Sequence, residues 1–311
     1  NPGAAKLSNS AAAPFLAVVS DLGIENLGVG VGFYVPFGGS AEWDTNSAYE
    51  NNSTHPGAVD GIARWSSING SARSLYVTAA GAYRLPKQRL SFGLGLNVVM
   101  TSVNTLRARN ANGTDDLLNG TGGLQEGRGL VDVSGTSFSF GAGVIWEPMD
   151  NTWVGASYQA RPGFKRMQLE GTLATKLGTG PSSVSDIALQ WSLPDVVRVG
   201  ARHRPSDKLE VRLFGEFVRW SVVKHHCGVN LDAVDVGCGL DARGNPNDAG
   251  SQVLFNVPRK WNDAFGIRAG ASYWLKPALE LFGGAGFDSN AVPDETMGPD
   301  LMDMNKLSFS L

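Results

Sequence analysis

The side chains here with the means to do chemistry are four histidines, two cysteines and a ladder of arginines set against glutamates. His55, His203, His225 and His226 are the only imidazoles that could serve as a general base, a role that needs a nucleophile within hydrogen-bond reach. His203 shares its strand face with Val199 and Ala201, and the other three lie in loop-like stretches far in sequence from any recognisable nucleophile motif, so an enzyme is not expected. Cys227 and Cys238 are separated by ten residues and preceded by two histidines, a spacing that matches no standard zinc site. The expectation is a disulfide between them, which places the chain in an oxidising compartment. No cofactor is expected, and no phosphate-cradling glycine loop before a lysine offers an energy source.

The arginine ladder sits in residues 193–221, LPDVVRVGARHRPSDKLEVRLFGEFVRWS. These residues form two runs of period-2 alternation around a tight turn, which predicts an antiparallel hairpin. Val197, Val199 and Ala201 oppose Arg198, Arg202 and Arg204. In the second run Leu209, Val211, Leu213, Gly215 and Phe217 oppose Glu210, Arg212 and Glu216. A half-buried strand of a soluble sandwich alternates too. Soluble strands, however, usually stop after about 5–6 residues, whereas each run here keeps its pattern for roughly 10, the length that crosses a bilayer at a tilt. In a transmembrane barrel the apolar rows face lipid and the charged rows face the interior.

The same pattern recurs along the chain. Strands are expected at 14–19, 27–37, 71–85, 90–106, 133–147, 152–171, 262–275 and 278–288, with another starting at Leu307. Tight turns such as Pro86-Lys87-Gln88-Arg89 and Pro148-Met149-Asp150-Asn151 alternate with long polar connections at 38–70, 107–132, 172–188, 222–259 and 289–305. A soluble sandwich has no reason to sort its loops by length onto opposite ends, whereas outer-membrane barrels have short periplasmic turns and long extracellular loops. Tyr83, Trp146, Trp153, Tyr158, Trp220, Trp261, Tyr273 and Trp274, near strand ends, are candidates for the interfacial girdles. In the strand over 27–37, Leu27, Val29, Val31, Phe33, Val35 and Phe37 are expected on one face, with Gly28, Gly30, Gly32 and Tyr34 on the other. Glycines there either leave space and bend the strand or relieve crowding against a neighbour.

Composition agrees. Forty glycines in 311 residues, 42% hydrophobic content and a mean hydropathy of −0.10 suit a closed sheet. No window approaches the ~18 apolar residues of a spanning helix, so a membrane location requires a barrel, the only sheet without unpaired edges in lipid. A net charge of −3 without a basic cluster argues against nucleic acid as a partner. The missing signal sequence is uninformative, since export would remove it. The chain is read as a single all-β domain over 1–311, a transmembrane antiparallel β-barrel with about eleven legible strands. Bacterial single-chain barrels have an even number.

Four segments together resemble the FadL/TodX family of outer-membrane transporters for long-chain fatty acids and other hydrophobic compounds. They are LGVGVGFYVPFGG (27–39), GAGVIWEPMDNTWVGASY (141–158), the 193–221 hairpin with its Leu-Pro-Asp start and Arg-Trp-Ser close, and 261–311, where Phe287-Asp288 and Val292-Pro293-Asp294 precede Pro299-Asp300. The resemblance implies a fourteen-stranded barrel plugged by an N-terminal hatch, of which this chain would cover the second to twelfth strands. The hatch, first strand and last two strands would be lacking. It also implies a Gram-negative outer-membrane location, with lipid and lipopolysaccharide or detergent around the wall. Ligand would be captured between outer loops, held in the lumen and released sideways at a kinked strand. That strand corresponds to 27–37, with Gly28, Gly30, Gly32 and Tyr34 at the lateral opening. The capture groove falls on loops 107–132 and 172–188, whose Leu117, Leu118, Leu124, Leu130, Leu173 and Leu177 either form an exposed apolar ligand site or pack the loops together.

A fatty acid needs an apolar pocket and a cation or two for its carboxylate. Arg198, Arg202, Arg212 and Arg268 are the lumen-facing candidates, unless each is consumed by pairing with Glu210, Glu216 or Glu280. Passage would be passive, driven by the ligand's gradient and its partition into lipid. The rival readings are a general diffusion porin, with an open polar channel, and a structural or partner-binding barrel within a larger envelope assembly.

Overall fold

A computed structural model describes residues 4–110, 125–233, 238–244 and 252–311 of the 311. Among the described residues sixteen strands make up one sheet. In chain order they begin with β1 (Leu7–Ser10), β2 (Phe15–Ser20), β3 (Leu27–Trp43), β4 (Asn69–Leu85) and β5 (Leu90–Arg109). Next come β6 (Gly127–Met149), β7 (Thr152–Gln159), β8 (Met167–Lys176), β9 (Ser182–Trp191), β10 (Val196–Ser206) and β11 (Leu209–Val218). The last are β12 (His225–Asn230), β13 (Val253–Pro258), β14 (Ala264–Lys276), β15 (Leu279–Asp288) and β16 (Lys306–Ser310).

The wall runs in the order β1-β3-β4-β5-β6-β7-β10-β11-β14-β15-β16, with every pair antiparallel. At one end the hairpins close through turns that need left-handed residues, Arg89 between β4 and β5 and Asn151 between β6 and β7. The sheet curves so strongly that Phe37 on β3 meets Trp220 beyond β11, with ring centroids 5.7 Å apart, and the Tyr34 hydroxyl reaches Gln159 on β7.

The two faces sort as the alternation requires. Leu213, Phe217, Leu94, Leu96, Phe138 and Ile267 are exposed on the outside, while Glu210 is 1% exposed and Asn97, Thr101, Ser139 and Ser272 are buried on the inside. An apolar exterior around a hydrogen-bonded polar interior inverts a soluble protein and suits a wall solvated by lipid. No helix among the described residues is long and apolar enough to cross a membrane.

Three expectations are corrected. The strand expected over 152–171 is two strands, broken around Pro162 and by Gly163 and Phe164 in left-handed conformations. The connection at 172–188 holds most of the β8–β9 hairpin, and 222–259 holds β12 and β13. These four strands leave the wall. The 23-residue β6 pairs with β7 along its inner half and with β8 along its outer half, and β9, β12 and β13 continue from β8 as an outer sheet. The dry core lies here: Val103, Val133, Met167, Leu169, Leu173, Ile187, Leu189 and Leu193 pack together with Phe37, Trp191, Leu254 and Phe255 around them. Gln168, Glu170 and Asp186 are exposed on the side opposite Leu169, Leu173 and Ile187. The Cys227–Cys238 disulfide ties β12 to the segment after it.

The aromatic girdle is smaller than expected. Tyr83, Trp146, Tyr158 and Tyr273 are exposed on the outside. Trp153 and Trp274 turn inward beneath Arg202 and Arg204, at 4.6 and 4.9 Å, and Trp220 and Trp261 pack against each other.

Candidate functional site

The site is built from β3 outward. A Cβ at Gly30 would lie 2.9 Å from Val19 Cγ1 and one at Gly32 2.8 Å from the Leu16 carbonyl, so these two glycines let β2 approach closely, whereas Gly28 has open space beside it. The ladder breaks farther along. Tyr34 pairs with Phe15 of β2, and the next partnered residue on that side is Ser40, opposite Ser10 of β1. Residues 35–39 have no strand partner on that edge. On the other edge the register against β4 shifts between Tyr34 and Phe37, so that Val35 and Pro36 together oppose Leu75. Proline has no N–H to donate, and a bulge is where a strand tolerates it. The extra residue reverses the alternation beyond it: Phe37, expected on the outer face, turns inward against Tyr76 and Trp220.

Inside, a run of rings leads from this break to the outer sheet. Tyr34 and Tyr76 are 5.3 Å apart, Tyr76 and Phe37 6.5 Å, Phe37 and Trp220 5.7 Å, and Trp220 and Trp261 5.1 Å. Trp261 continues to His226 at 6.2 Å, which stacks on Trp191 at 4.3 Å. Below the rings the lumen is polar: Thr78 donates to Asn97 at 2.6 Å, and Gln159 donates to Ser139 at 2.8 Å.

The lumen arginines of the hairpin are paired. Arg198 meets Glu216 at 2.6 Å, Arg202 and Arg212 both meet Glu210 at 2.6 Å, and Arg268 meets Asp288, rather than Glu280, at 2.8 Å. A different cationic group stands at the mouth. Arg107 and Arg109 continue the inward face of β5 beyond the ~10 residues a bilayer needs. Arg259 donates to Asp300 at 2.7 Å and to His226 Nδ1 at 3.1 Å, and Arg109 donates to the Leu254 carbonyl at 3.1 Å. The Arg107 side chain makes no hydrogen bond among the described residues. Burial lowers its pKa, with Arg109 and then Arg259 adding to the effect against the attraction of Asp300. Among the described residues, Asp300 pairs with Arg259 and attracts Arg107, which also lies near Arg109. Burial, helped by Arg259 and His225, also holds His226 well below the usual histidine range.

Leu173 is 5% exposed in β8, inside the outer-sheet core rather than on an exposed loop. A Cβ at Gly129 would lie 3.5 Å from Arg109 Cδ and 4.0 Å from Leu173 Cδ1, so this leucine borders the cationic group. Leu130 and Leu177 are half-buried, and Leu117, Leu118 and Leu124 lie outside the described residues. The arginine group was missed because 107–132 reads as a loop, although Arg107-x-Arg109 keeps the inward parity of Asn97, Val99, Thr101 and Val103. Also missed is a clamp in which the buried carboxylate of Glu126 meets Arg64 and Arg128, each at 2.9 Å, while Arg128 also pairs with Asp60. It pins the β3–β4 connection to the start of β6.

A lipid-facing antiparallel wall with polar interior rows, short turns at one end and a structured sheet at the other defines an outer-membrane β-barrel. The family model for outer membrane protein transport protein (OMPP1/FadL/TodX) matches residues 3–303, and the chain belongs to that family of Gram-negative outer-membrane transport channels, which are not enzymes. Among solved structures, a Pseudomonas aeruginosa FadL homologue is similar with a TM-score of 0.72 at 14% identity, over 94% of this chain and 63% of its own. The Ralstonia pickettii toluene transporter TbuX is similar with a TM-score of 0.66 at 18% identity, over 90% and 69%. The Pseudomonas putida toluene transporter TodX gives 0.65 at 16%, over 98% and 76%. The chain therefore spans less than two thirds of the FadL homologue's length. No curated protein matches it in sequence.

Proposed function

We propose that the protein carries long-chain fatty acids, or similar hydrophobic molecules ending in a carboxylate, passively from the cell exterior into the outer membrane. The observation that carries this reading is the mouth group of Arg107, Arg109 and Arg259, in which, among the described residues, only Arg259 hydrogen-bonds a carboxylate, that of Asp300, with Leu173 beside Arg109. A carboxylate held there gains charge-assisted hydrogen bonds, and its tail meets the outer-sheet core. The polar lumen arginines are neutralised by their own partners and contribute less. Release is sideways, through the wall where residues 35–39 lack a partner, which supports placing the exit just beyond Gly28, Gly30, Gly32 and Tyr34. Lipid then takes up the tail.

The run of rings favours a second reading, aromatic hydrocarbons, for which two of the similar structures are described as transporters. Uptake of labelled oleate and toluene by cells carrying Arg107→Ala separates the two. Loss of a charge-assisted bond predicts a roughly ten- to hundredfold fall in apparent oleate affinity with toluene unchanged. An unaltered oleate affinity refutes the carboxylate role.

A further inference from the structure

We infer that Tyr76 is a specificity-determining residue whose hydroxyl, one ring from the inner end of the run of rings, selects apolar molecules bearing a hydrogen-bond acceptor oxygen over hydrocarbons of the same shape. The inference rests on the transport reading and adds a requirement to it. Seven rings form the run: Trp191, His226, Trp261, Trp220, Phe37, Tyr76 and Tyr34. Three of them carry an N–H or O–H that is enclosed and has no protein partner among the described residues: Trp191 Nε1, Trp261 Nε1 and Tyr76 Oη. Buried polar groups are nearly always partnered, so three orphan donors along one track call for an explanation. Indole N–H only donates, and a phenol also donates readily. The chemistry that satisfies all three in turn is an acceptor oxygen on an otherwise apolar body, as in a carboxylic acid or a phenol.

Position singles out Tyr76. The residue is 1% exposed, its register partner on β5 is the fully buried Val99, and its ring lies 5.3 Å from Tyr34. Tyr34 is the last β3 residue paired with β2 before the unpartnered stretch. The Tyr76 hydroxyl is therefore the last of the three donors before the break in the wall. A site built around a donor rejects the analogue that lacks the acceptor, because the donor is then left unpaired, whereas a purely apolar pocket hardly distinguishes the two.

The test uses the full-length protein in outer-membrane vesicles and two matched pairs, p-cresol against toluene and oleate against 1-heptadecene. The wild type should favour the oxygenated member of at least one pair, and the pair that responds tells a phenolic from a carboxylate cargo. Tyr76→Phe keeps the ring and removes only the hydroxyl, and should cut that preference roughly tenfold, by raising KM for the oxygenated ligand while hydrocarbon flux stays the same. Trp261→Phe, tested in parallel, should cut it in the same direction. Preferences unchanged in both pairs in a folded Tyr76→Phe protein overturn the inference and leave the transport reading standing. A wild type that carries none of the four ligands overturns both.

Discussion

Replacing Leu213 with arginine asks directly what surrounds the wall. β11 is ten residues long, and at ~3.4 Å per residue and a tilt near 40° it spans about 25 Å, the height of the apolar band of an outer-membrane barrel. Leu213 is midway along it, 53% exposed, and paired with Ala201 and Ala269, so its side chain points away from the lumen near the bilayer midplane. Leu209 shares that face at the turn end. An outward arginine costs about 2–4 kcal/mol at the midplane and about 0–1 kcal/mol near the interface. Leu213→Arg should therefore destabilise by about 2–4 kcal/mol and Leu209→Arg by less than about 1 kcal/mol. Equilibrium urea titration of folding into phospholipid vesicles, followed by the heat-sensitive shift in electrophoretic mobility, measures both. Equal costs at the two positions, or none at Leu213, would mean that the apolar rows do not face lipid.

Glu210→Leu removes the carboxylate shared by Arg202 and Arg212 and should cost about 1–2 kcal/mol in the same titration. That is less than for a fully buried pair, because both guanidinium groups are about half exposed; converting both arginines to Met as well should recover most of it, and failure to recover would show that the charges are not the cause. Opening the Cys227–Cys238 bridge by Ser substitution removes a short closed loop worth roughly 3 kcal/mol. It should speed proteolysis within β9 and β12 without altering the mobility shift of the barrel, and equal weakening of barrel and outer sheet would contradict their separation. His226 has its folded-state pKa lowered, by burial first and then by Arg259 and His225, so the unfolded chain binds its proton more readily. Its contribution to stability is present above the unfolded value of about 6.5 and is lost as pH falls below it. Protection of β12 amides, expressed relative to their intrinsic exchange rate at each pH, should fall between pH 7 and 5, and His226→Phe should flatten that dependence; protection that rises on acidification is the opposite sign.

Period-2 alternation in 193–221 was enough to assign inward and outward rows, because a strand's side chains have no third direction and only lipid tolerates so long an apolar row outside. The pairing of Arg198 with Glu216 follows from the same geometry, since they face each other across the hairpin, whereas Arg202 faces Arg212 and reaches Glu210 diagonally on the same side. Parity also places Trp153 and Trp274 inside, although position near a strand end alone suggested the girdle. Phe37 was misplaced because a bulge adds one residue and reverses parity beyond it, and Pro36 was the only local sign.

By itself the sequence determined the lipid-facing barrel, its hairpin turns and its family, since alternation, turn residues and loop lengths are local and repeat along the chain. Only the tertiary structure decided that the polar stretches at 172–188 and 222–259 hold most of the β8–β9 hairpin together with β12 and β13, which pair on from the outer half of β6 as a further sheet. It alone brought Arg107 close to Arg109, Arg259 and Asp300, and strung Tyr34, Tyr76, Phe37, Trp220 and Trp261 into one run beside an unpaired stretch of wall. Each of these joins residues distant in the chain through curvature of the sheet, and curvature accumulates over many strands without leaving a mark on any one of them.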